Sequence, residues 1–98
     1  MSRLIAFRSV ARLEFDEAVA WYEKERNGLG LEFMVAVDQT LDTAARQPEL
    51  FRKVRGPIRR AMLMRFPYTL HFIEEPNQLV VVAVFHGSRD PRQLRDRK

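Results

Sequence analysis

Seven consecutive apolar residues, Leu79-Val80-Val81-Val82-Ala83-Val84-Phe85, constrain this chain more than any other stretch. Side chains of a strand point alternately to its two faces, so a strand with no polar alternation needs cover on both sides. The run therefore reads as a strand at the centre of a sheet. In 98 residues there is room for one core and no second one, which makes residues 1–98 a single domain.

The preceding sequence supplies the cover. Arg3 to Arg8 carries Leu4, Ile5 and Phe7 and reads as a short first strand. Ser9 is expected as the N-cap of a helix whose face is Ala11, Phe15, Ala18 and Tyr22. Glu14, Glu17 and Glu23 lie off that stripe. Asn27-Gly28-Leu29-Gly30 ends the helix, with Gly28 suited to a left-handed turn. A second helix carries Phe33, Val37, Leu41 and Ala44, and Pro48 stops it. Pro48 to Pro57 reads as a loop, Ile58 to Arg65 as a strand, Phe66-Pro67 as a break, and Tyr68 to Ile73 as a strand. Glu74 to Gln78 is a turn into the apolar run, and Arg89 to Lys98 is a polar tail. The order β-α-α-β-β-β predicts an α+β fold, a helical hairpin packed on one face of a mainly antiparallel sheet.

Charge divides the chain. Residues 1–45 carry a net −3 and residues 46–98 a net +7. No acid occurs from Leu50 to Ile73, where Arg52, Lys53, Arg55, Arg59, Arg60 and Arg65 fall. The basic half suits a polyanion or an acidic protein as partner; a solvated basic face is the plain alternative. There is no cysteine, which excludes disulfides and thiolate metal sites, and two histidines alone make a poor zinc site. No apolar run approaches the roughly 20 residues of a membrane span. A cytoplasmic protein without metal or cofactor is the expectation.

Several chemistries find no residues here. Gly28 and Gly30 lie between helices and form no phosphate loop. Ser88 follows His86, but no acid is placed to orient that histidine. Glu74-Glu75 sits in a turn and is expected to be solvated. The remaining group is Arg59, Arg60, Arg65, Tyr68, His71, His86 and Arg89. Histidine supplies acid or base near neutral pH, and arginine clamps phosphate. His71 alternates with Leu70 and Phe72 and is expected on the solvent face. His86 ends the buried strand beside Gly87, where its side chain can enter a groove. Arg59 and Arg60 are neighbours in a strand and must point to opposite faces, so at most one serves a given site. Tyr68 is expected in the core with its hydroxyl at the rim, and Trp21 as packing.

Taken in order, Ala18-Val19-Ala20-Trp21-Tyr22-Glu23, Gly28-Leu29-Gly30-Leu31-Glu32-Phe33, Pro48 with Phe51, Arg59-Arg60 before Phe66-Pro67-Tyr68, and Val82-Ala83-Val84-Phe85-His86-Gly87-Ser88-Arg89-Asp90-Pro91 resemble the RelE/ParE toxins of bacterial type II toxin–antitoxin systems. The resemblance covers nearly the whole chain and implies the same fold as the element order. RelE-like mRNA interferases carry an arginine at the place of Thr69 and a tyrosine after the last strand; here Gly87 to Arg92 contains none. The tail is closer to ParE-like members, which inhibit DNA gyrase. The resemblance thus implies a gyrase-binding toxin that a cognate antitoxin neutralises, with Arg59, Arg60, Arg65, Tyr68, His86, Arg89, Arg92 and Arg95 as contacts. The alternative is a ribosome-dependent mRNA endonuclease using His86 as acid or base, with Arg65 and Arg89 on the phosphate. A small DNA- or protein-binding module ranks last.

Overall fold

The structure is a computed structural model that describes residues 3–87 and 91–98. β1 (Leu4–Phe7) is followed by α1 (Ser9–Glu25), α2 (Leu29–Arg46), β2 (Lys53–Arg55), β3 (Ile58–Met62), β4 (Tyr68–Glu74) and β5 (Gln78–His86), with 3-10 turns at Pro48–Leu50 and Pro91–Leu94. The sheet order is β1-β5-β4-β3-β2, with β1 parallel to β5 and the other pairs antiparallel. The α+β architecture is as the sequence implied, but the sheet has five strands. The extra one, β2, lies inside the segment expected to be loop and pairs with β3 across Gly56-Pro57. The Ile58 strand is also shorter than expected, ending at Met62.

Both helical stripes are buried as their spacing requires: Ala11, Phe15, Ala18 and Tyr22 on α1, and Phe33, Val37, Leu41 and Ala44 on α2. Phe33 anchors an aromatic cluster, its ring 5.2 Å from Tyr22, 5.2 Å from Phe66 and 5.1 Å from Tyr68. Full burial of each such side chain contributes about 1.5–3 kcal/mol. Ser9 is not the cap of α1. Arg8 holds that position with extended backbone and no side-chain cap bond, and Ser9 is already helical.

The hairpin turn is built around Gly28 and Gly30. Gly28 has φ 89° and starts α2 in the left-handed region. Its N–H donates to the Glu23 carboxylate at 3.1 and 3.0 Å, and the Gly30 N–H donates to Glu23 Oε1 at 3.0 Å. The last turns of α1 thereby satisfy the free N–H groups that open α2, and the negative charge suits that helix end. Gly30 is glycine because the helices touch there: a Cβ would lie 2.8 Å from the Val19 carbonyl oxygen and 3.0 Å from Glu23 Oε1.

β5 is covered on both faces. Leu79, Val81 and Val84 join the core beneath the hairpin, while Val80, Val82, Ala83 and Phe85 join a second cluster with Ile58 and Leu94. Two successive residues, Val82 and Ala83, share that far side because β5 bulges: Phe72 pairs with Val81 and His71 with Ala83. The tail is therefore not simply polar. Leu94 is 1% exposed and forms part of the far cover. Arg97 fixes it there, donating to both Glu14 oxygens at 3.0 and 2.8 Å and to the Val82 carbonyl at 2.8 Å. Glu14 Oε1 also accepts the Val84 N–H at 3.0 Å.

This cover overturns the expected exposure of His71, which is 5% exposed and packs its ring 5.1 Å from that of Phe85. The face that strand alternation assigned to solvent lies under the tail. Burial, and then the Arg60 and Arg97 guanidinium groups, push the His71 imidazole down to about 4, with Glu14 opposing. Trp21, expected to pack, is 57% exposed with its ring edge-on to Tyr22 at 5.2 Å. Glu74 is an anchor between Arg3 at 3.3 Å and Arg59 at 3.2 Å.

Two outcomes follow from this packing. Gly30→Ala forces the hairpin apart and disturbs the Glu23 bonds, and is expected to lower unfolding free energy by about 1–3 kcal/mol in urea titration. For His71 the unfolded chain takes up its proton near pH 6.5 and the folded chain only near pH 4. Its contribution to stability is thus complete above pH 6.5 and falls as pH drops from 6.5 to 4, by roughly 3 kcal/mol at most. Urea titrations across that window should show the slope in the native protein and a flatter one in His71→Leu.

Candidate functional site

The basic residues of the second half do not form one cluster. Arg59 points to the hairpin side and is engaged, donating to the Phe51 carbonyl at 2.8 Å and to Glu74 at 3.2 Å. Arg60, its strand neighbour, is paired across the ladder with His71 and faces the other way, as alternation required. Arg65 follows β3 and meets Glu32 of α2 at 2.7 Å; Arg26 reaches the other oxygen of that carboxylate at 3.2 Å. The Arg65 hydrogen bond, aided by Arg26, holds the Glu32 carboxyl below the usual carboxylate range.

The second group lies at the far sheet edge. The turn Pro91–Leu94 packs against β2, with Leu94 beside Val54. That contact brings the tail carrying Arg92 and Arg95 alongside Lys53 and Arg55. Arg52, Lys53 and Arg95 are exposed, Arg55 is half-buried, and none of these four makes an ion pair among the described residues. Sequence reading placed Arg52, Lys53 and Arg55 in a loop and omitted them from the candidate site. The acid-free run from Leu50 to Ile73 was the signal for them, and the short strand that aligns them was not legible. Arg89 lies outside the described residues.

Tyr68 and His86 form the third group. They pair across β4 and β5, with ring centroids 5.1 Å apart and planes at 76°. Tyr68 is half-buried and packed on Phe33 and Tyr22; burial, and then the neighbouring Tyr68, raise the Tyr22 hydroxyl above its ordinary range. His86 is exposed at the end of β5, in a cleft shared with Glu14, Glu17 and Trp21 of α1. Arg65 lines a different cleft, with Glu32 and Met64. The acid–base residue and the phosphate clamp of a nuclease are therefore not brought together among the described residues.

A fourth surface is apolar. β1 is a sheet edge, with Leu4 and Ile5 exposed, and beside it α2 exposes Leu31, Met34 and Val35. Ile5, Phe7, Leu31, Met34 and Val35 line one groove between the two elements. Monomeric proteins seldom leave contiguous apolar surface next to an open strand edge without a partner for it.

Among the described residues, no three His, Cys, Asp or Glu side chains are grouped to hold a metal ion, and no helix is long and apolar enough to cross a membrane. No protein-family model and no curated protein sequence matches the chain. Among solved structures it is similar to a chain of the chromosomal ParDE TA system from P. aeruginosa, with a TM-score of 0.74 and 10% sequence identity, over 89% of this chain and 98% of that one. The two helices on a five-stranded mixed sheet are thus the fold of that ParDE chain.

Proposed function

We propose that this chain is the toxin of a toxin–antitoxin pair, of the ParE-like kind, acting on DNA gyrase by binding rather than by covalent chemistry of its own. The observation that carries the reading is the shared fold with a chain of a ParDE TA system over 89% of this chain. The basic edge of Arg52, Lys53, Arg55 and Arg95 supports a binding mode, since it offers cations along one sheet edge and, among the described residues, no acid–base pair. The separation of His86 from Arg65, with Thr69 at the interferase arginine position, weighs against the endonuclease alternative.

The same reading supplies a partner for the apolar groove. A cognate antitoxin would seat an apolar segment over Ile5, Leu31, Met34 and Val35, either as a helix in the groove or as a strand on the free β1 edge. An acidic character elsewhere on that partner would match the basic half.

The test is a supercoiling and cleavage assay with gyrase and the purified chain. The expected result is inhibition with trapped double-strand breaks, and a midpoint raised about tenfold or more in Arg55→Glu/Arg95→Glu, as loss of charge contacts of 1.4 kcal/mol or more requires. Inhibition unchanged in that variant would remove the basic edge from the target surface. No inhibition by folded protein, together with cutting of ribosome-bound mRNA, would replace the reading by the RelE-like one. For the antitoxin, mixing should raise the melting temperature by about 10 °C or more, and Met34→Glu should reduce that rise while leaving gyrase inhibition intact.

A further inference from the structure

One flank of α1 faces the end of β5 across a cleft of about 300 Å³. That volume lies at the lower end of small-ligand pockets. Glu14, Glu17 and Trp21 line it from the helix, and Tyr68 and His86 from the sheet. Glu17 and Trp21 are four residues apart, so their side chains sit on successive turns of one helix face. Trp21 is the chain's only tryptophan, and more than half of it is exposed.

The two carboxylates of the cleft differ. Glu14 is spent: Arg97 donates to both of its oxygens, and Oε1 also accepts the Val84 N–H. The Glu17 carboxylate is exposed and makes no ion pair or hydrogen bond among the described residues. In a chain of net charge +4, an unpaired acid thus stands beside an exposed indole. An anion would be repelled by Glu17, and an apolar group would strip its water without replacing it. An ammonium would answer the carboxylate, but it is a compact and strongly hydrated charge. A guanidinium is planar and less hydrated; it stacks on an aromatic face while its N–H fork meets a carboxylate.

We infer that this cleft receives an arginine side chain of a partner protein, its guanidinium plane on the Trp21 indole, its N–H fork on the Glu17 carboxylate, and its methylenes toward Tyr68 and His86. Free arginine fits less well, because its α-carboxylate would enter beside Glu14 and Glu17; an arginine within a peptide brings no such charge. Tryptophan and arginine are also the side chains on which protein interfaces most depend. The inference does not rest on the toxin reading, and its test uses neither gyrase nor antitoxin.

The probe is N-acetyl-arginine N-methylamide, titrated into the native protein and followed by the emission of Trp21. The matching citrulline derivative keeps the plane without the charge, and the matching lysine derivative keeps the charge without the plane. The arginine probe should change the emission saturably and bind at least about fivefold more tightly than citrulline, as a cation over an indole joined to a charged hydrogen bond requires. It should also bind more tightly than the lysine derivative and than free arginine. Glu17→Gln, at an exposed position, should bring it down to the citrulline level. Affinity equal to that of citrulline or lysine, no saturable response, or binding unchanged in Glu17→Gln would each overturn the inference. Free arginine binding as tightly as the blocked form would overturn the protein partner in favour of the amino acid. A change of Trp21 emission on diluting the protein alone would assign the cleft to a second copy of this chain instead.

Discussion

The Glu14–Arg97 pair is the contact on which the far half of the molecule depends. β5 is apolar on both faces, so the hairpin satisfies only one of its needs. The other face is covered by a tail in which Leu94 is the one large aliphatic side chain among charged residues. A single buried leucine is weak anchorage for a chain end. Arg97 adds three hydrogen bonds and lies 5.1 Å over the Phe85 ring, and both partners of the ion pair are only about a fifth exposed. Such partly buried charge-assisted contacts are among the stronger ones available. The pair also meets backbone groups of β5 beyond Phe7, where β1 stops: Arg97 takes the Val82 carbonyl and Glu14 the Val84 N–H. Two side chains do the work of a missing stretch of strand.

Placement of the tail decides which cations remain available. Net charge alone says that residues 46–98 are basic; it does not say which of their arginines are spent. Arg59 is held by Glu74 and Phe51, Arg65 by Glu32, and Arg97 by Glu14. Among the described residues, Arg52, Lys53, Arg55 and Arg95 at the β2 edge, and Arg60, make no ion pair. The acids that neutralise the others come largely from the helices, so the hairpin works as an internal counter-charge for part of the sheet.

The helices were legible because each buries one stripe, and the 3.6-residue period shows that stripe directly in Phe15, Ala18 and Tyr22 or Phe33, Val37 and Leu41. The short first strand and the apolar β5 were legible from their apolar content, but the parallel pairing of the two was not. Three features were not. β2 is three residues long, too short for alternation to register, and its pairing is distorted between Lys53 and Arg55. The bulge in β5 is hidden because every residue from Leu79 to Phe85 is apolar, so a change of face leaves no trace. His71 was assigned to solvent because alternation reports the two faces of a strand and not what covers them. The tail that covers it has almost no hydrophobic signal, and Glu14 looked like an ordinary exposed helix residue. The candidate site was legible as a set of residue types, but its division among three regions is a property of the sheet order.

That order sets a geometric demand on any partner. The apolar groove lies at β1 and the basic edge at β2, the two opposite edges of the sheet β1-β5-β4-β3-β2. Four strand spacings separate them, about 19 Å at the usual distance between neighbouring strands. A segment seated at β1 therefore covers the basic edge only if at least about six further extended residues reach across. Among the described residues, the tail touches both sides. Arg8 at the end of β1 donates to the Lys98 carbonyl at 2.7 Å, Arg97 holds Glu14 of α1, and Leu94 packs on Val54 of β2. On the proposed toxin reading, neutralisation at a distance has that tail as a route, whereas neutralisation by direct cover would have to wrap the sheet.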